Sequence, residues 1–160
     1  MGPHHLVDVV KPQAALLDQV LREAQGAIRR ELLILACRYN EFTGWLYQDA
    51  GDASRAARYT DRAMDYALEI GESNETAYVL MRKANVASDM GQSSRALGLT
   101  QAALREPATS SQVQAVALAQ RSRALALTGD CDGCARTLDA AFRVVDRSRV
   151  PQLIGVLGCG

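Results

Sequence analysis

The chain has 160 residues, 48% hydrophobic, 22% charged and 5% aromatic, and its 18 basic residues balance 18 acidic ones. That apolar share excludes a disordered chain, and the length suits one domain with a real core. A neutral balance argues against a free-standing nucleic-acid binder, whose phosphate contacts need a basic surface, and no apolar run nears the roughly 18 residues of a membrane-crossing helix.

Twenty-six alanines against 12 glycines and 4 prolines favour helix, and nothing alternates with the period of two that marks a strand. Residues 1–10 read as a flexible lead that holds His4 and His5 and shows no secretory-signal pattern. The spacing then predicts a helix over 11–25 with an apolar face of Leu16, Leu17, Val20 and Leu21. Further helices are expected at about 29–50, 53–70, 74–90, 93–106, 111–128 and 131–147. In the first of these, Leu32, Leu35, Ala36, Tyr39, Phe42, Leu46 and Ala50 mark the expected core stripe. Gly71 with Ser73, and Pro107 with Ser110 and Ser111, punctuate the links. Residues 149–160 form an apolar tail.

The chain repeats itself. Gly44, Tyr47, Gly51, Asp52, Ala56 and Ala63 match Ala84, Ala87, Gly91, Gln92, Ala96 and Ala103, and again Ser122, Leu125, Gly129, Asp130, Cys134 and Ala141. Each anchor glycine can close one helix in the left-handed conformation, and Asp52, Ser93 and Asp130 can cap the next. Small residues at 44, 84 and 122 facing 56, 96 and 134 let two helices nest, where a bulky residue would force them apart.

This pattern resembles the tetratricopeptide repeat family, with repeats at about 31–70, 73–107 and 111–147 inside one domain over 11–148. The resemblance implies an all-α, right-handed superhelix of about seven helices in antiparallel hairpins. The run from Tyr39 to Asp52, and Ala77 to Lys83 after it, is similar to the C-terminal repeat domain of helix-turn-helix transcriptional regulators of high-GC Gram-positive bacteria. Only 28 residues precede the helix at about 29 that opens the first repeat, so the expectation is a piece of such a regulator or a stand-alone remnant.

In that register the first helix of each pair lines a concave wall. The family register places Arg38, Glu41, Trp45 and Gln48 there, then Tyr78, Met81, Arg82, Asn85 and Asp89, then Gln120 and Arg123. Aromatic and Met side chains offer adaptable apolar area, while Arg and Asn can bond peptide carbonyls and carboxylates. The expectation is a cytoplasmic, non-enzymatic module that takes a protein or peptide in this groove. It forms homo-oligomers through Leu16, Leu17, Val20 and Leu21, and has no direct nucleic-acid contact, cofactor or metal. A scaffold without switching is one alternative. A thiol- or zinc-responsive module built on Cys131 and Cys134 is another. Phosphate-loop and nucleophile-elbow motifs are missing, and both histidines sit at the start of the chain, so an enzyme ranks last.

Overall fold

The computed structural model describes the backbone of residues 3–157 and the side chains of 6–148. Among the described residues there are seven helices and no strand: α1 (Pro3–Leu21), α2 (Gly26–Asp49), α3 (Ala53–Ile70), α4 (Ser73–Asp89), α5 (Ser93–Arg105), α6 (Ser111–Leu127) and α7 (Cys131–Leu157). Three of the connections follow one rule. At Gly51, Gly91 and Gly129 the backbone turns left-handed, with φ of 80°, 72° and 81°. The next amide then reaches back to a carbonyl of the helix just ended: Asp52 to Tyr47, Gln92 to Ala87 and Asp130 to Leu125, at 2.8, 2.8 and 3.0 Å. Asp52 and Asp130 also cap the helices that follow, accepting from the Arg55 and Gly133 amides at 2.9 and 2.8 Å. The middle turn departs from expectation. Gln92, not Ser93, occupies the cap position there, and its side chain makes no capping bond.

Every helix packs on the next in sequence. The small residues meet as their spacing implies. A Cβ added to Gly44 would lie 3.3 Å from the Ala56 carbonyl and from the Thr60 methyl. Ala84 and Ala96 share a buried cluster with Ala87 and Ala124. Ser122 donates to the Cys134 carbonyl at 3.1 Å. In addition, α2, α4 and α6 touch across the pairs, whereas among the described residues no close backbone approach joins α3, α5 and α7 to one another.

One boundary needs correction. Residues 3–10, read as a flexible lead, are the first turns of α1. Residues 149–157 of the apolar tail continue the backbone of α7. Along α1, Val7, Val10, Ala14, Leu17 and Leu21 recur at three-and-four spacing and are all buried. Val7 and Val10 join Leu46, Tyr47, Ala56 and Val86 in one cluster; Leu17 and Leu21 join Leu33 and Ala36 in another. The core stripe of α2 is also shifted. Leu35 and Phe42 are exposed, and the buried positions include Asn40 and Thr43. Those two polar side chains are tolerated because they donate to the Ala36 and Tyr39 carbonyls at 2.8 and 2.7 Å, one turn back.

A polar lock joins α1 to α3. Asp18 accepts from the Tyr66 hydroxyl and from the Arg62 guanidinium. Burial first, then the neighbouring Asp18 carboxylate, push the Tyr66 phenol up from 10 to about 12. A proton held more tightly in the folded chain stabilises the fold below pH 10 and loses that contribution as pH climbs towards 12. Alkaline melting curves over that window should therefore flatten in Tyr66→Phe relative to the parent chain.

Gly44 and Gly98 make a second test, because Gly98 has nothing within 4 Å of an added Cβ. Gly44→Leu should cost about 1–3 kcal/mol by prying α2 from α3. Gly98→Ala should add about 0.5–1 kcal/mol from helix propensity. Thermal unfolding followed by circular dichroism reads both signs.

Candidate functional site

Helices α2, α4 and α6 enclose a cleft of about 600 Å³, within the size range of ligand clefts. Its origin is a difference in spacing. The backbones of α4 and α6 pack closely, but α2 and α4 scarcely meet and are joined by long side chains instead. Arg38 on α2 reaches Glu75 on α4 at 2.6 Å, and Arg82 on α4 reaches Glu41 on α2 at 2.5 Å. Arg82 also donates to Gln48 at 3.1 Å, and the Arg38 guanidinium lies over the Tyr78 ring. Burial, and after it the Glu41 carboxylate, hold the Tyr78 phenol above its ordinary value.

Eight of the eleven groove residues expected from sequence line the cleft: Arg38, Glu41, Trp45, Tyr78, Met81, Arg82, Asn85 and Gln120. The other three sit just past it in a polar chain. Gln48 donates to Asp89, and Arg123 donates to Asn85 and Asp89, both at 2.6 Å. Two lining residues differ from expectation in character. Met81 and Arg82 are buried, and Arg82 is already engaged by Glu41 and Gln48 rather than free for a ligand.

Sequence reasoning missed half of the apolar floor. Phe42, assigned to the core, instead stacks on Trp45 with ring centroids 5.9 Å apart and planes 14° apart. The two rings are 41% and 44% exposed, an open aromatic platform. Their three-residue separation on one helix was the available signal. Val113 and Val116 from α6, with Asn74, Ser110 and Gln112, complete the lining. Asn74 accepts from the Ser110 amide at 2.8 Å, fixing the loop before α6 against α4. The Gln120 side-chain oxygen is buried at the cleft without a hydrogen-bond partner, an acceptor left for an incoming N–H.

The face expected to pair two copies is divided by the fold. Leu17 and Leu21 face inward, while Leu16 and Val20 are exposed and border a shallow hollow with Ile28. Arg29 and Arg30 pair with Glu69 and Glu72. Cys37 is buried, its thiol donating to the Ala63 carbonyl at 3.4 Å, and burial pushes it up to about 12. Cys131 is exposed at the start of α7, and the Cys134 sulfur lies 3.2 Å from the Ser122 hydroxyl. Among the described residues no three His, Cys, Asp or Glu side chains group as metal ligands; His4, His5 and Cys159 lie outside the described side chains. No helix among the described residues is long and apolar enough to cross a membrane. Neither a family model nor a curated protein matches the chain.

The Arg82–Glu41 pair gives a sharp test, since its side chains are only 9% and 13% exposed. Glu41→Ala should destabilise the fold by about 3–5 kcal/mol, because it strands a buried cation. Combining Glu41→Leu with Arg82→Met should recover most of that loss in denaturant titrations, as both charges leave together.

Proposed function

We propose that this chain is a non-enzymatic, tetratricopeptide-like helical-repeat module that takes a protein or peptide in the cleft between α2, α4 and α6. The repeat reading is supported by the three recurring glycine turns and the small residues facing each other across each pair. Helices α2, α4 and α6 that touch while α3, α5 and α7 stay apart are what a curved array with a concave inner wall requires. The single observation that carries the binding reading is the exposed Phe42–Trp45 stack within a concave, largely apolar cleft. Large, rigid aromatic surface at the centre of a groove is how interface hot spots are built.

The likeness of Tyr39–Asp52 to the repeat domain of helix-turn-helix regulators makes the sensory and oligomerisation part of such a regulator the role that fits best. The chain itself makes no DNA contact in this reading. Leu16 and Val20, beside Ile28, are the residues of α1 open to a second copy. A rigid scaffold is the second reading, favoured by the bonds that tie the inner helices together: Arg38–Glu75, Arg82–Glu41, Gln48–Asp89 and Arg123–Asp89.

Trp45 is the only tryptophan, so its emission reports directly on the cleft. Peptide pools should shift that emission saturably, and Trp45→Ala should weaken capture of the selected peptides by about tenfold or more. Unchanged capture in both Trp45→Ala and Phe42→Ala would remove the cleft from the function.

A further inference from the structure

We propose that the occupant of the cleft is residues 150–157 of a second copy of this chain, an inference that rests on the cleft being a peptide site. Charge is the first argument. The two arginines at the cleft are already bonded to carboxylates, Arg38 to Glu75 and Arg82 to Glu41. A charged ligand would have to break one of these pairs or lose water without a partner, so the cleft selects an uncharged, apolar segment. Residues 150–160 carry no Asp, Glu, Lys or Arg, and five of the eight from 150 to 157 are aliphatic: Val150, Leu153, Ile154, Val156 and Leu157.

Topology is the second argument. The turn between α6 and α7 is three residues long, so the two helices run side by side, yet α7 has 27 residues against 17 in α6. The last ten or so residues of α7 therefore run about 15 Å past the start of α6. They leave the array at the end where Ser110 and Gln112, just before and at the start of α6, line the cleft. Among the described residues α7 packs only on α6, and neither α2 nor α4 approaches it. Since neither α2 nor α4, which supply most of the lining, approaches α7, the proposal seats residues 150–157 in the cleft of another copy. Reciprocal exchange of the two segments closes a two-fold dimer.

The experiment compares the full chain with a variant ending at residue 148, by sedimentation and by Trp45 emission, with circular dichroism confirming that both are folded. The full chain is expected to be a dimer with Trp45 emission shifted to the blue. The shortened chain is expected to be a monomer with redder emission. A synthetic peptide of residues 148–160 should restore the blue shift saturably, and the same peptide carrying Leu153→Asp and Ile154→Asp should bind at least tenfold more weakly. Equal mass and equal emission in the two folded chains would overturn the proposal. So would a dimer whose Trp45 emission ignores the truncation, which would put the contact elsewhere, such as α1. If the shortened chain takes unrelated peptides through Trp45 but not the 148–160 peptide, this inference falls and the peptide site stands. If it takes none at all, both fall.

Discussion

Where the paired helices face one another, their side chains are small: Gly44 beneath Ala56, Ala84 beside Ala96, Ser122 against Cys134. Close approach of helix backbones is what these contacts permit, and everything else in the array depends on it. With the backbones near, van der Waals contact is made by the main chain and short side chains, and larger residues such as Leu46, Tyr47, Val79 and Val86 fill the spaces between successive pairs. The apolar interior is accordingly spread along the stack as several buried clusters, each shared by neighbouring helices. That is the arrangement expected of a structure whose units are stable only against their neighbours.

The cleft follows from the one place where this rule is relaxed. Between α2 and α4 the spacing is set by arginine and glutamate side chains rather than by alanines. Long side chains hold the helices apart and leave room for the Phe42–Trp45 platform between them. The same ion pairs neutralise the walls. A groove that looks charged residue by residue therefore has its arginines at the α2–α4 seam already paired with carboxylates. Arg123 extends the network to α6, so the three inner helices are linked edge to edge through polar groups that water screens only partly.

Much of the architecture was legible because it is written in local chemistry. Gly51, Gly91 and Gly129 announce helix ends, and the boundaries from α3 to α6 fall within a residue or two of those read from spacing. Eight groove residues were legible for a related reason: once the repeat register is set, the first helix of each pair must present one face to the cleft. The failures are equally specific. Asn40 and Thr43 are buried because their side chains bond carbonyls one turn back, and polarity alone gives no warning of that. Phe42 was assigned to the core because it is large and apolar, yet a ring can lie open where a partner ring stacks on it. Val7 and Val10 were passed over because a helix beginning at Pro3 is recognisable only through the surface that covers it.

By itself the sequence determined the helical class, the turns and the matched small positions, since each depends on a residue and its near neighbours along the chain. Which charges are spent on one another was decided only in three dimensions. Arg38 and Glu75, or Glu41 and Arg82, are 37 and 41 positions apart, and their pairing is a property of how α2 and α4 are set side by side. The division of the α1 face, with Leu17 and Leu21 covered and Leu16 and Val20 bare, likewise belongs to the tertiary structure, because a helix has no inside until another surface is laid against it.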